Sequence, residues 1–411
     1  MTSTEGSPTE GSPTGGSPRE PAPRVLVVFN SGLAGRNYKA PHLRAVIDGL
    51  RRHGLEPVFC GVPDCVQAVR SMGWLAGAWV WARLFLLRCA RRAGLLTKRR
   101  WKRAQKRAIT AAAERRLRRG DISAVLQPNG FPSLLERCAR LGIPTVVEWT
   151  VHYEPGAKAD PGAHLASRVV TYTERERNNM IAAGIPAERV HVVLPVDAGI
   201  YGTRPPAPCP DVPRFLYTSA FKRRKRLDVA LRAWASRTSL DGEFHVIGPM
   251  GAGCEWIVKA FQERPDVVFH GFANPHELYP VLQGVGVHVS SSEGLPRAML
   301  EYMEYGFPLL VSTDASQGFI EDGVAGTVVD PCDEQTLREA FDRVLADYQA
   351  FWEKGRAAQQ RLAEAVAGPG CGDRLAAVTA GLIADVRSGR GHGDGSAVER
   401  DSRSTRGSRG L

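Results

Sequence analysis

Residues 290–301 read Ser290-Ser-Ser-Glu-Gly-Leu-Pro-Arg-Ala-Met-Leu-Glu301, and Ser290 is also the last residue of the preceding apolar run. Pro296 is well suited to open a helix, because its missing N–H is not needed there. A strand, a Ser/Gly loop and a helix start in this order leave free backbone N–H groups above the end of the strand, where they attract anions. We therefore predict a ligand cleft here, with Glu293 facing it and Glu301 inside the helix.

The same alternation of apolar runs and amphipathic segments extends in both directions from this loop. The runs are continuous in Val, Ile and Leu rather than alternating, which is typical of parallel strands covered on both faces. The predicted fold class is α/β, with two Rossmann-like, doubly wound domains facing a cleft. The predicted strands are 25–29, 57–60, 124–127, 145–149, 169–172, 190–194, 215–219, 244–248, 267–271, 287–290, 309–312 and 326–330.

Composition sets the predicted domain boundaries. Residues 1–23 repeat Thr-Glu-Gly-Ser-Pro and residues 388–411 are rich in Gly, Ser and Arg. Neither segment can bury enough apolar surface to offset its ordering entropy, so both are predicted to be disordered. The Pro/Ala/Cys-rich residues 204–213 predict a linker. The folded chain is thus divided into an N-terminal domain, 24–203, and a C-terminal domain, 204–387.

Most of the net charge of +11 comes from one patch, since residues 98–119 hold eleven Lys and Arg against the single acid Glu114. The patch follows a Trp-rich apolar run, 73–87, that is too short to cross a bilayer. Residues 73–119 therefore have the composition of a region lying on an anionic membrane surface. A buried helix followed by an exposed basic helix is the alternative. Nucleic acid is a third reading of the patch, but is not the expected partner.

The eight cysteines are scattered, without a Cys-x-x-Cys pair or a Cys/His spacing that would indicate zinc or a redox dithiol. This favours a reducing compartment. The first residues lack the apolar core of a signal peptide. We predict a cytoplasmic protein, peripheral on the cytosolic face of a membrane.

Five segments in order resemble the family-4 retaining glycosyltransferases of the GT-B fold, also called glycosyl transferases group 1. The resemblance implies transfer of a sugar from a nucleotide-diphosphate sugar to a glycan, lipid-linked or small-molecule acceptor, with no cofactor and no metal. It makes 24–203 the acceptor side and 204–387 the nucleotide-sugar side. The segments are Arg168-Val-Val-Thr-Tyr-Thr173, Val193-Leu-Pro-Val-Asp197, His270-Gly-Phe272 with His276-Glu-Leu278, the pair Glu293 and Glu301, and Glu321-Asp-Gly-Val-Ala-Gly326 with Val329-Asp-Pro331.

The resemblance carries roles onto single positions of the second domain. Glu293 is implied to hold hydroxyls of the donor sugar and is a catalytic candidate. The backbone of Gly294, Leu295 and Pro296 is implied to lie along the sugar and the diphosphate. Glu301 is implied to bind the ribose. Without the resemblance, a Glu pair is usually no more than a surface ion pair and a solvated loop acid.

A basic loop is expected to neutralise the departing diphosphate, since fixed positive charge there stabilises the charge that develops. Lys225 matches the family's phosphate-binding lysine and is a second catalytic candidate. The family's usual Gly-Arg-Leu is replaced by Ser219-Ala-Phe221, so Ala220 stands where an arginine is expected. The missing charge can come from Lys222, Arg223 or Arg224, and Arg224 is assigned to the donor site.

Two candidates lie in the first domain. His152, in Glu148-Trp-Thr-Val-His152, resembles the histidine that faces the donor sugar or acceptor and is the third catalytic candidate. Gly32 lies in the loop Asn30-Ser-Gly32-Leu-Ala-Gly35 after the first strand, where the family has a glycine-rich loop touching the diphosphate. The resemblance therefore assigns Gly32 to donor binding, and glycine there permits close approach of a ligand to the backbone. A lone histidine is as often structural, and a glycine can simply turn the chain.

Other functions fit less well. A dinucleotide oxidoreductase needs Gly-x-Gly-x-x-Gly after the first strand, and Ser31-Gly-Leu-Ala-Gly35 lacks that spacing. The chain contains no Asp-x-Asp of the kind typical of metal-dependent transferases. A sugar-nucleotide epimerase rests on fold analogy alone. Ala220 leaves open a catalytically silent nucleotide-sugar-binding protein.

Overall fold

The computed structural model describes residues 21–29, 39–60, 86, 89, 97–128, 131–149, 161–202, 204–251 and 253–389. His152 and Gly32 lie outside these ranges, as do residues 1–20, residues 390–411 and most of the apolar run 73–87. The predictions for those residues, including disorder of the two ends, stay predictions.

The first half of the chain forms one sheet of six parallel strands. The strands are β1 (Arg24–Val28), β2 (Glu56–Cys60), β3 (Ala124–Pro128), β4 (Thr145–Glu148), β5 (Arg168–Thr171) and β6 (Val190–Val192). Their order in the sheet is β2-β1-β3-β4-β5-β6. The helices are α1 (Lys39–Arg52), α2 (Lys98–Leu117), α3 (Pro132–Arg140), α4 (Pro161–Leu165) and α5 (Glu174–Ala182).

The first strand shows why its apolar run is continuous. Alternate side chains of a strand point to opposite faces of the sheet. Val25 and Val27 pack in a cluster with residues of α1, whereas Leu26 and Val28 pack in another with residues of α2. All four are fully buried. The sheet is therefore covered on both faces, as predicted.

The second half forms another six-stranded parallel sheet. Its strands are β7 (Arg214–Thr218), β8 (Glu243–Ile247), β9 (Val267–Gly271), β10 (Val285–His288), β11 (Leu309–Ser312) and β12 (Gly326–Val329). Its helices are α6 (Leu227–Ala235), α7 (Glu255–Phe261), α8 (Pro275–Leu282), α9 (Arg297–Glu304), α10 (Thr313–Ser316), α11 (Glu334–Ala346), α12 (Tyr348–Ala367) and α13 (Cys371–Arg387).

The strand order of the second sheet is β12-β11-β10-β7-β8-β9. The chain builds outward from β7 to β9 and then returns to the other side of β7 with β10. Ligands of such sheets bind where the order reverses, at the carboxyl ends of the strands. The switch point lies between β7 and β10, which precede the loops of Lys225 and Glu293. The predicted fold class, two Rossmann-like doubly wound domains, is confirmed.

The last helix departs from the predicted domain division. The sequence assigns 204–387 to the second domain, yet α13 packs against α1 of the first. Its apolar residues, Leu375 and Ile383 among them, lie in the cluster that also holds Val25 and Val27. The two helices touch through glycine, since a Cβ on Gly372 would lie 1.9 Å from the backbone oxygen of Ala45.

Helix α2 contains the basic half of region 73–119. Its apolar residues Ile109, Ala112, Ala113 and Leu117 are buried against the first sheet, so they face the protein core rather than a bilayer. Its outer side is basic, with exposed Arg100, Arg103, Arg107 and Arg118. This arrangement matches the alternative of an exposed basic helix. Within the described ranges, no helix is both long and apolar enough to cross a membrane.

Candidate active site

The loops that follow β7, β10 and β11 meet at the carboxyl edge of the second sheet. The Ser291 N–H and the Ser290 hydroxyl donate to the Arg224 carbonyl oxygen at 2.9 and 3.0 Å. The Ser312 hydroxyl donates to the Ser290 carbonyl oxygen at 2.6 Å. The two loops that carry the predicted donor-site residues are thereby held together.

Glu293 is the centre of an ion cluster at this edge, with 9% of its side chain exposed. Lys225 Nζ pairs directly with Glu293 Oε1, Arg224 Nη1 lies 3.0 Å from the same oxygen, and His288 Nε2 lies 3.5 Å from it. Burial opposes ionisation of the carboxyl group. The bonds and charges of His288 and Lys225 outweigh burial and hold the pKa of Glu293 well below its ordinary value.

Lys225 is the more deeply buried cation of the pair, with 13% of its side chain exposed against 45% for Arg224. Its carbonyl oxygen accepts a hydrogen bond from the Tyr217 hydroxyl at 2.7 Å, and its Nζ lies 3.3 Å from His288 Nε2. Burial lowers the pKa of Lys225, and the Glu293 carboxylate opposes that shift. A cation fixed in this way needs little reorganisation to act on a phosphate.

The structure also shows which basic residue of the loop lies beside Lys225. Lys222, Arg223 and Arg224 are all exposed, and Arg224 Nη1 lies 3.0 Å from Glu293 Oε1. Phe221 is only 2% exposed, so the Ser219-Ala-Phe221 segment packs into the domain. Arg224 thus lies beside Lys225 at Glu293, and its role in place of the arginine expected at Ala220 stays a prediction.

Glu301 lies in the second turn of α9. The helix begins at Arg297, one residue later than predicted, with Pro296 as a cap residue that makes no side-chain capping bond. Leu295 is buried and anchors the loop. Burial raises the pKa of Glu301 to about 7, although the Arg297 guanidinium opposes the shift. The contacts of Gly294, Leu295, Pro296 and Glu301 with a donor stay predictions.

The carboxyl edge of the first sheet carries a buried cluster that the sequence analysis missed. His42 Nε2 lies 2.8 Å from Glu148 Oε1, and the Tyr172 hydroxyl donates to the same oxygen at 2.9 Å. His42 Nδ1 lies 3.5 Å from the sulfur of Cys371 in α13. Burial would lower the pKa of His42, but the Glu148 charge and the bond to Cys371 raise it to about 10. Glu148 and Tyr172 lie in segments that the sequence analysis had quoted, 148–152 and 168–173, whereas nothing there singled out His42 or Cys371.

The two domains touch beside Glu293. Arg175, on α5, donates to the Thr313 carbonyl oxygen at 2.9 Å and lies 3.1 Å from the Asp314 carboxylate. The Thr173 hydroxyl donates to Gln317 Oε1 at 3.4 Å. Gln317 in turn donates to the Glu293 carbonyl oxygen at 2.9 Å. Among the described residues, no group of three or more His, Cys, Asp or Glu side chains is arranged to hold a metal ion.

Sequence comparison relates this site to known proteins. Residues 212–347, which contain β7 to β12 and both glutamates, match the family described as glycosyl transferases group 1. The chain is 28% identical over 254 residues to the alpha-D-kanosaminyltransferase of Streptomyces kanamyceticus. That alignment covers 53% of this chain and 64% of the relative, so it spans less than two thirds of the relative's length.

Comparison of folds gives the same architecture. The structure of Anabaena HepE in complex with UDP-glucose matches 89% of this chain and 99% of its own, with a TM-score of 0.58 at 15% identity. The sucrose-phosphate synthase of Thermosynechococcus elongatus matches 89% of this chain and 100% of its own, with a TM-score of 0.63 at 13% identity. At these identities the likeness shows the fold, which is GT-B.

Proposed function

Because residues 212–347 match the glycosyl transferases group 1 family, we propose that this chain is a retaining, metal-independent glycosyltransferase. It moves a sugar from a nucleotide-diphosphate sugar to a glycan, lipid-linked or small-molecule acceptor. The observation that carries the proposal is the cluster of Lys225 and Arg224 around the buried Glu293 carboxylate, at the switch point of the second sheet.

The two cations stabilise the leaving diphosphate. Breaking the bond between the sugar and the diphosphate puts negative charge on the phosphate oxygen. Lys225 and Arg224 stabilise that charge from fixed positions, which lowers the barrier without a metal ion. Glu293 accepts hydrogen bonds from hydroxyls of the donor sugar and holds the anomeric carbon beside the acceptor.

Retention follows from attack on the face that the diphosphate leaves. In this mechanism the departing phosphate takes the proton of the acceptor hydroxyl, so no protein nucleophile is needed. Lys225 and Arg224 keep the phosphate close to that proton. Glu301 binds the ribose, and the free N–H groups at the start of α9 lie along the diphosphate.

Turnover of a panel of nucleotide sugars tests the proposal. UDP-glucose is the first member, because the HepE structure contains it. We expect release of the nucleoside diphosphate, loss of activity in Lys225→Ala, and a product whose anomeric configuration matches the donor by nuclear magnetic resonance. Activity that survives EDTA supports metal independence. Binding of nucleotide sugars without any turnover would instead support the catalytically silent protein that Ala220 allows.

We also propose that α2, in the acceptor-side domain, holds the protein on the cytosolic face of an anionic membrane. Its exposed Arg100, Arg103 and Arg107 lie on one side of the helix, each contributing roughly 1 kcal/mol near such a surface. Because the apolar side of α2 is buried in the domain core, this helix would bind the membrane through its charges and not by inserting apolar side chains into the bilayer.

Vesicle sedimentation distinguishes the effect of the charges on α2 from the effect of the protein's net charge. Replacing Arg100, Arg103 and Arg107 by Gln should release the protein from phosphatidylserine vesicles. Replacing the exposed Arg51, Lys259 and Arg356 by Gln removes the same charge elsewhere and should release it far less. Equal loss in the two triple variants, or salt-insensitive binding, would contradict the proposal. Binding to RNA but not to vesicles would favour nucleic acid.

A further inference from the structure

Gln317 lies directly after α10, at the carboxyl edge of the second sheet, and is only 2% exposed. Both polar atoms of its side-chain amide form hydrogen bonds. Nε2 donates to the carbonyl oxygens of Glu293 at 2.9 Å and Asp314 at 2.8 Å. Oε1 accepts from the Thr173 hydroxyl of the first domain at 3.4 Å. This one side chain therefore contacts both the Glu293 loop and the other domain.

The backbone of Gln317 has a conformation that favours glycine. Its φ of 52° lies in the left-handed region, where a Cβ crowds the following carbonyl group. The next residue, Gly318, is also left-handed, with φ of 73°. A buried glutamine at such a position requires compensation, and strained residues of this kind cluster at functional sites. The three hydrogen bonds of the amide are the compensation.

Three carbonyl oxygens of the loop, those of Ser290, Ser292 and Glu293, accept hydrogen bonds, and the bond to Glu293 comes from Gln317. The Ser290 carbonyl oxygen accepts from Ser312, which belongs to the same sheet. The Glu293 carbonyl oxygen accepts from Gln317, whose other end is bonded to Thr173. Thr173 is itself fixed, because its hydroxyl accepts from the Glu176 N–H as the cap of α5. Contact between the domains is thus transmitted to the backbone of Glu293.

We propose that Gln317 is a positioning residue that couples contact between the two domains to the placement of the Glu293 carboxylate. This inference rests on the proposed function, since it assigns Glu293 to the donor sugar. When the domains touch, Thr173 orients the amide of Gln317, which fixes the Glu293 carbonyl group and with it the direction of the side chain. When they separate, the amide loses its partner in the first domain and the loop loses one of its restraints.

Replacement of Gln317 by glycine tests the role without straining the fold. Gln317→Gly removes all three side-chain bonds while relieving the left-handed backbone. We expect kcat for the nucleotide sugar to fall about 10- to 100-fold, because small misplacement of a catalytic group has effects of this size. The affinity for UDP alone should stay within about twofold, since UDP lacks the sugar that Glu293 binds.

Three controls separate positioning from stability. Gln283→Gly also replaces a glutamine of positive φ, 45°, far from Glu293, and should leave kcat unchanged. Arg175→Ala loosens the same domain contact without touching Gln317 and should lower kcat less than Gln317→Gly. Gln317→Glu keeps the length of the side chain and an acceptor for Thr173, but it loses the amide donors. It should therefore behave like Gln317→Gly.

Hydrogen exchange of the peptide 290–296 gives a readout that does not need turnover. We expect faster exchange in Gln317→Gly than in the wild type or Gln283→Gly. Wild-type kcat in the variant, unchanged exchange, or a joint loss of Tm, UDP affinity and kcat would overturn the inference. A wild-type protein that turns over no nucleotide sugar would overturn the proposed function instead, and the exchange measurement would still decide the role of Gln317.

Discussion

The loop around Glu293 and the helix turn around Glu301 place two like residues in opposite environments. Glu293 is surrounded by Lys225, Arg224 and His288, and its pKa lies well below the ordinary value. Glu301 is half-buried in α9 with weaker charge compensation, and its pKa is raised to about 7. The cation cluster keeps the first carboxyl group ionised at every physiological pH, whereas the second is divided between its two forms at neutral pH.

The contrast indicates two different tasks. A carboxylate that is always charged can hold sugar hydroxyls and balance two cations, but it has little tendency to exchange a proton. A carboxyl group that titrates near neutral pH gains its charge at little cost when hydroxyl groups bind to it. The two sites should therefore respond differently to substitution, to the choice of ligand and to pH.

The largest expected effect is on catalysis at the Glu293 cluster. Lys225→Ala should lower kcat about 10²- to 10³-fold, because it removes charge stabilisation realised in the transition state. Arg224→Ala should have a smaller effect, since Arg224 is more exposed. Lys222→Ala is the matched control in the same loop, and its kcat should be close to that of the wild type. Equal small effects of all three would mean that the loop is merely basic.

The second-largest expected effect is on UDP affinity, measured by calorimetry, and it differs between substitutions of the two glutamates. Glu301→Ala should weaken UDP binding roughly 10- to 100-fold, as expected for losing hydrogen bonds to a charged group worth about 1.5–3 kcal/mol. Glu293→Gln should leave UDP affinity unchanged or higher, because it frees two cations for the phosphates. Circular dichroism of both variants checks folding. Weaker UDP binding in Glu293→Gln alone would reverse the assignment of the two residues.

The smallest expected effect is a pH dependence that belongs to Glu301. Its raised pKa means that the carboxyl group is mostly protonated at pH 6 and mostly ionised at pH 8. The ionised form accepts ribose hydroxyls better, so the advantage of UDP over 2′-deoxy-UDP should rise about threefold to tenfold over this range. Both ligands carry the same phosphates, so phosphate titration cancels. A ratio that stays flat, or that persists in Glu301→Gln, would remove Glu301 from ribose binding.

Local signals determined a large part of this fold. The twelve apolar runs, read from 25–29 to 326–330, all form strands within one or two residues of the predicted bounds. Asn274 caps α8 with Pro275 as its first residue, an order that is typical of helix starts. These features were predictable because burial on both faces of a strand, helix capping and the position of proline each leave a pattern within a few residues.

The candidate site was only partly predictable. The sequence selected Glu293, Glu301 and Lys225, and it left the choice among three other basic residues nearly open. Hydrogen bonds from Ser290 and Ser291 to the Arg224 carbonyl oxygen place Arg224 Nη1 3.0 Å from Glu293, which favours Arg224 among the three. The opposite pKa shifts of the two glutamates also depend on neighbours from other strands, which no spacing within residues 290–301 records.

By itself, the sequence determined the two parallel-sheet domains and the strand–loop–helix unit that carries the glutamates. Only the tertiary structure decided that α13 returns to the first domain, that α2 turns its apolar side to the core, and that Gln317 links Thr173 to Glu293. The reason is distance along the chain. Periodicity and capping act over a few residues, whereas these contacts join residues that only the packed domains bring together, such as Thr173 and Gln317, 144 positions apart.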